Sequence, residues 1–224
     1  MAYYYPCIPA PGIQTFADLC SFKMRVEGTG RIKAQPDVAF AVLGVFTENK
    51  QLALSQEENA AVVTAVLRTL EGMGISPQDI KTQSFTVSPQ YDYIDGRQVF
   101  RGYRVEHMLE IAIRELDRVG ETIDAAVRSG ANQISSIRFS VSDPSLYYQQ
   151  ALNAAVDDAF AKVRTLGSKL NITVLQIPVQ IIEMGREPVI PVPLAYQASV
   201  SATPIQAGMI EITARIETIF VYKP

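Results

Sequence analysis

Gly130-Ala-Asn-Gln-Ile-Ser-Ser-Ile-Arg-Phe-Ser-Val-Ser-Asp143 leads through Pro144 toward Ala151-Leu-Asn-Ala-Ala-Val-Asp-Asp-Ala159. In the first stretch Ile137, Phe139 and Val141 alternate with other residues, the period-two pattern of a strand with one covered face. Ser142-Asp143-Pro144 then turns the chain and supplies a side-chain oxygen to cap the helix that follows. The passage holds no nucleophile elbow, metal-ligand set or phosphate loop. It specifies architecture rather than a reaction.

Outward from this stretch, the spacing predicts a helix from Pro144 to about Leu170, with a stripe of Leu152, Val156, Ala159, Val163, Leu166 and Leu170. That stripe fits packing on the chain's own sheet; a coiled-coil seam needs a longer repeat and flanking charge pairs. Thr173 to Met184 reads as a strand, and Pro178 places it at an edge or a bulge. Residues 185–207, with prolines at 188, 191, 193 and 204, read as irregular. A last strand runs from Met209 to Tyr222, with Ile210, Ile212, Ala214, Ile216 and Phe220 on one face.

Upstream, a short strand from Phe22 to Glu27 precedes Gly28-Thr29-Gly30. Asp37 to Thr47 is apolar on both faces, as in an interior strand. Gln51 to Glu71 reads as a helix on Ala60, Val63, Leu67 and Leu70, stopped by Gly72-Met73-Gly74. Phe85, Val87, Tyr91 and Tyr93 alternate up to Asp95-Gly96, a hairpin turn, and the return strand spans Val99 to Arg114. Leu116 to Ser129 is a shorter helix ending at Gly130. Residues 1–20 form a Tyr/Pro-rich arm, expected to be flexible. Three helices mixed with hairpin strands predict an α+β fold with largely antiparallel sheets.

Composition narrows the class further. A net charge of −3 leaves no broad basic surface for nucleic acid. At 48% hydrophobic and 19% charged residues the chain is an ordinary globular protein, and no apolar run is long enough to cross a bilayer. The first twelve residues lack a basic n-region, so a cytoplasmic location is expected, with cell-surface or envelope association by a non-classical route as the alternative. Cys7 and Cys20 are spaced so that a disulfide is open to them, but a reducing compartment would leave them free thiols, which is the expectation.

Several short markers occur in a fixed order: Val26-Glu-Gly-Thr-Gly30, Pro36-Asp-Val-Ala39, Asp79-Ile-Lys-Thr82, Pro89-Gln-Tyr-Asp-Tyr93, Gly102-Tyr-Arg104, Gly130-Ala-Asn132, Phe139-Ser-Val-Ser-Asp143 and Gly208-Met-Ile-Glu-Ile212. Together they resemble the SIMPL domain family, whose bacterial members include periplasmic immunogens and oxidative-stress-related proteins. The resemblance covers residues 21–224 and implies two intertwined α+β subdomains, self-association into large ring-like oligomers and no established catalytic residue. The chain departs from the family in lacking a visible export signal. It also departs at Lys162-Val-Arg-Thr-Leu-Gly167, where a mid-helix glycine costs about 1 kcal/mol unless a close contact uses it.

Candidate sites are few. Gly28-Thr29-Gly30 lacks the lysine and the following helix of a phosphate loop, and reads as a tight turn or bulge needing positive φ. His107 is the only histidine, which rules out a multi-histidine metal site, and its strand parity places it with Val105, Leu109 and Ile111 as a buried structural residue. A hydrolytic arrangement with Ser140 or Ser142 and Asp143 has no nucleophile-elbow sequence behind it. Asp157 and Asp158 point about 100° apart on their helix, and Asp158 pairs with Lys162 instead. Tyr91, Tyr93 and Tyr103 cluster either as cross-strand packing or as a subunit contact. Pro188, Val189, Ile190, Pro191, Val192, Pro193, Leu194 and Tyr196 form an apolar, proline-stiffened segment that is either an oligomer interface or a mobile loop.

The sequence therefore points to a non-enzymatic, self-assembling protein acting as an oligomeric scaffold or binding platform, related to stress or envelope physiology. A small-molecule or peptide binding module, with a cavity between subdomains or within a ring, is the alternative, and a hydrolase built on His107 is a third. No cofactor or metal is expected.

Overall fold

The computed structural model describes residues 22–185, 190–192, 205 and 207–223. The arm at residues 1–20, both cysteines, and the interface candidates Pro188, Val189, Pro193, Leu194 and Tyr196 lie outside the described residues. The elements run β1 (Lys23–Ala34), β2 (Val38–Asn49), α1 (Leu52–Gly72), β3 (Ile80–Ile94), β4 (Arg97–Ile113), α2 (Val119–Arg128), β5 (Gln133–Ser140) and α3 (Pro144–Leu170), then β6 (Thr173–Val174), β7 (Gln180–Glu183), β8 (Ile190–Val192) and β9 (Met209–Lys223). The pairings β2–β4, β2–β5, β3–β4, β6–β9 and β7–β9 are all antiparallel, so the fold is α+β as expected. The chain divides into two compact units, and it leaves and re-enters each of them.

One unit contains β1, α3, β6, β7 and most of β9. Its sheet is ordered β1-β9-β6, with β7 and β8 also on β9. The Tyr222 amide donates to the Phe22 carbonyl and the Thr218 hydroxyl to the Val26 carbonyl, which sets β1 antiparallel to β9. On the far side of β9 the pairing is interrupted at Pro178, between β6 and β7, where proline's missing donor does least harm. Residues 185–207 are not irregular throughout, because Ile190–Val192 adds a short strand on β9. A three-residue edge tolerates Pro191, which a central strand would not.

α3 lies on β1, and the contact reverses two expectations. Gly28 and Gly30 do not form a turn and do not need positive φ; they sit inside β1. A methyl group on Gly28 would collide with the Ala155 carbonyl oxygen and come within 2.9 Å of Ala159 Cβ, and one on Gly30 would collide with the Ala151 carbonyl. The helix accordingly buries its small residues, Ala151, Ala155 and Ala159, flanked by Tyr148, Val163 and Gly167. The predicted stripe is rotated: Leu166 and Leu170 are exposed, because bulky side chains would hold the backbones apart. Asp158 fastens the seam, accepting from the Thr29 amide (2.9 Å) and from Lys162 (2.7 Å), whose ammonium also reaches the Glu27 carbonyl (2.9 Å). These bonds, Lys162 first, hold the Asp158 carboxyl below its ordinary range. Gly167 is used as well, since its missing side chain admits Val174 at close range and its carbonyl accepts the Ile172 amide (3.0 Å).

The other unit is a four-stranded sheet ordered β3-β4-β2-β5, with α1 and α2 on one face. Ala39, Ala41, Leu43 and Val45 of β2 meet Leu109, Ile111 and Ile113 of β4, Val63, Val66 and Leu70 of α1, and Ile123 and Ala126 of α2 in one core. α1 turns toward the sheet not Ala60, which is exposed, but Ser55 and Asn59. Asn59 Nδ2 donates to the carbonyls of Val45 (3.0 Å) and Val105 (3.2 Å), so a polar side chain holds a core-facing position by bonding to both strands. Asn59→Ala is expected to cost about 2 kcal/mol or more in urea unfolding, because both carbonyls lose that donor in a dry environment. Loss of under half that amount means water takes its place.

Other family markers turn out to be fasteners. Asp37 accepts the amide (2.6 Å) and hydroxyl (3.1 Å) of Ser142, tying the end of β5 to the start of β2. The Asn132 side chain both accepts from and donates to the Phe46 backbone (2.8 Å each), extending the β5–β2 ladder by one mimic of a strand residue. Asp79 pairs with Arg114 (3.0 Å).

Candidate functional site: an aromatic hairpin beyond the sheet

β3 and β4 are the long strands of their sheet, and their length has a consequence. β2 pairs with β4 only from Ala39↔Ile113 to Asn49↔Tyr103. Past Tyr103, β3 and β4 pair only with each other among the described residues, from Gln90↔Gly102 to Ile94↔Arg97. This two-stranded ribbon extends roughly 17–20 Å past the sheet. At its tip Asp95 and Gly96 adopt left-handed φ of 50° and 76°, the conformation that matches the twist of a two-residue hairpin.

The ribbon carries an aromatic face. β3 places Phe85, Val87, Pro89, Tyr91 and Tyr93 on one side. Opposite them stand His107, Val105 and Tyr103, and then Phe100, because a bulge at Arg101 skips one residue of β4. The rings meet edge to face: Tyr91–Phe100 at 5.7 Å and Phe100–Tyr103 at 5.2 Å. This face continues the core face of the sheet. At Val105 it is fully covered, and α1 ends its coverage at Ser55, whose hydroxyl lies 3.5 Å from the Tyr103 carbonyl. Beyond that point Phe85, Tyr91 and Phe100 are about half exposed and Tyr93 is 76% exposed.

The base of the ribbon is held by charge. Glu48 accepts from Arg104 (2.7 Å) and from Arg101, and Arg101 also approaches Asp92 at 3.5 Å. The Arg104 bond leads the effects that hold the Glu48 carboxyl below its ordinary range. Arg104 further stacks over the Phe46 ring at 4.5 Å. A lone ribbon is marginally stable in water, so these bonds and the ring contacts keep it formed while its apolar side stays open.

Of the predicted site residues, the structure brings Tyr91, Tyr93 and Tyr103 to one face. Ile190, Pro191 and Val192 belong to β8, which pairs with β9 and not with the hairpin strands. Phe85, Val87 and Phe100 extend the aromatic face and were not singled out from the sequence. Phe100 is three residues before Tyr103, so strict alternation sends it to the opposite side. Only the bulge returns it.

His107 is half-buried, with Phe85 edge-on at 5.5 Å and the Thr82 hydroxyl 3.0 Å from Nε2. It pairs with Val45, whereas Ser140 pairs with Val38, about seven residues or 23 Å away along β2. The hydrolytic grouping is therefore not assembled. Asp143 instead caps α3, accepting from the Ser145 amide at 3.0 Å. Among the described residues no group of three His, Cys, Asp or Glu side chains could hold a metal ion, and no helix is long and apolar enough to cross a membrane.

Burial lowers the His107 pKa below its ordinary value. Its folded pKa lies under the unfolded one, so the unfolded chain binds more protons as pH falls through the histidine range. This site therefore contributes stability above that range and loses it below. His107→Gln is expected to flatten the slope of melting temperature between about pH 7.5 and 5.5. An unchanged slope would mean that the ring protonates in place.

The family model for SIMPL, described as a protein of unknown function (DUF541), matches residues 24–220. The chain belongs to the SIMPL family. Among relatives of this SIMPL protein, the uncharacterized protein YggE of Escherichia coli K12 is 26% identical over 204 residues, covering 88% of this chain and 82% of YggE. The 26 kDa periplasmic immunogenic protein of Brucella melitensis is 28% identical over 214 residues, covering 90% of this chain and 85% of the relative. A Burkholderia phymatum amidase structure overlaps 64% of this chain and 38% of its own at 13% identity and a TM-score of 0.20, which carries no weight for fold or activity. The Brucella relative overturns the cytoplasmic expectation, which rested only on the composition of the first twelve residues.

Proposed function

We propose that this SIMPL protein is a non-enzymatic, self-assembling scaffold or binding platform of the periplasm, with a role in envelope or stress physiology. The observation that carries the reading is the β3–β4 ribbon, whose aromatic face continues a buried core face past the end of its helical cover. A second copy of the chain supplies the missing cover. Tyrosine and phenylalanine suit such a contact, since they bury large areas at low entropic cost. The periplasmic part of the reading is supported by the Brucella relative. Residues 188–194 and Tyr196 are proposed as a second contact surface in the same assembly.

Light scattering of the full chain over a wide concentration range tests the reading. The expected mass is a fixed multiple of the single-chain value. A single-chain mass throughout overturns it. Deleting residues 187–200 is expected to lower the assembled mass while the circular dichroism of the subunit persists; an unchanged mass removes that segment from the contact.

A further inference from the structure

A recess opens where β2 begins and β4 and β5 end, within the four-stranded unit and away from the hairpin tip. Its volume is about 240 Å³. Val38, Phe40, Ala112 and Val141 give it an apolar lining, and Lys81 and Glu110 bring opposite charges to it. Lys81 and Glu110 are directly opposite in the β3–β4 register. Such cross-strand neighbours have Cβ atoms about 5 Å apart and ordinarily pair. Here no ion pair joins them, and neither side chain is hydrogen-bonded among the described residues. Arg114, by contrast, pairs with Asp79 at 3.0 Å and lies 3.5 Å from the Ser142 hydroxyl, so its charge is already engaged.

We propose that this recess binds a free α-amino acid with a small apolar side chain, its ammonium on Glu110, its carboxylate on Lys81 and its side chain against Phe40 and Val141. The four charged residues sum to zero, so a simple anion or cation would always face one like charge. A zwitterion satisfies both open groups at once through charge-assisted hydrogen bonds. The volume takes a molecule the size of valine or leucine, and the lining gives its side chain an apolar seat. The β3–β4 register sets the two side chains side by side at the rim of the recess, within reach of the two ends of one small zwitterion.

The test is calorimetric titration of the full-length protein with L-leucine at neutral pH and low salt. Saturable binding below roughly 10 mM is expected, weakened about tenfold or more by Lys81→Met and by Glu110→Gln. Isocaproate, which lacks the ammonium, and isoamylamine, which lacks the carboxylate, should bind about tenfold more weakly than leucine. The double exchange Lys81→Glu with Glu110→Lys keeps one charge of each sign and should restore most of the affinity, which a misfolded variant could not do. Absence of saturable binding overturns the proposal. So does equal binding of isocaproate and leucine, or binding that both single variants leave unchanged.

Discussion

Gly30→Val is expected to lower stability by about 3 kcal/mol or more, enough to unfold a large share of a marginally stable chain. A side chain at this position of β1 runs into the Ala151 carbonyl, with the Ala155 amide and Ala154 Cβ behind it, all on α3. Backbone atoms of a helix cannot rotate aside as a side-chain tip can. The helix must lift, and lifting it uncovers Ala151, Ala155, Ala159 and Val163 and strains the Asp158–Thr29 bond. The chain has no tryptophan, so urea unfolding followed by circular dichroism is the suitable measurement. Gly72→Ala provides the contrast, since nothing lies within 4 Å of its added methyl, and it should be neutral or slightly stabilising. If Gly30→Val unfolds at the wild-type midpoint, the close seating of α3 on β1 is wrong.

Tyr93→Lys combined with Phe100→Lys is expected to break the assembly while leaving the subunit folded. Both side chains are substantially exposed in the single chain, so their loss removes little from its own core. In a contact each aromatic anchor is worth about 2 kcal/mol or more, so the pair should raise the dissociation constant roughly a thousandfold. Sedimentation velocity reads the change directly. A double variant that keeps the wild-type mass would show that the hairpin face is not what joins the copies, and the scaffold reading would lose its support.

Most of the architecture could be read from the residues because the elements obey local rules. Asp143-Pro144 starts α3 and Asn171 ends it in the left-handed conformation; Asp95-Gly96 fixes the hairpin; alternation sets β2, β4 and β9. What escaped was set by neighbours distant in sequence. The buried face of α3 could not be chosen without knowing that it lands on Gly28 and Gly30, more than 120 residues earlier. Hydrophobicity favoured Leu166 and Leu170; closeness of approach favoured the alanines. In α1 the same logic placed Asn59 inside, because its value lies in two carbonyls on other strands. At the candidate site the tyrosines were legible as aromatic alternation, but Phe100 was not, since a bulge at Arg101 breaks the parity that sequence alone must assume.

The sheet that holds α3 is strung across nearly the whole polypeptide. β9 is its middle strand, between β1 and β6, and joins β1 through contacts 192 residues apart. The four-stranded unit, made largely of residues 35–142, has its strands and helices in hand far earlier during synthesis. During synthesis the strands and helices of that unit emerge first, while the sheet that holds α3 waits for Thr218 and Phe220. Until then α3 has no complete surface to settle on, and a chain cut before β9 would lack the strand that joins β1 to β6.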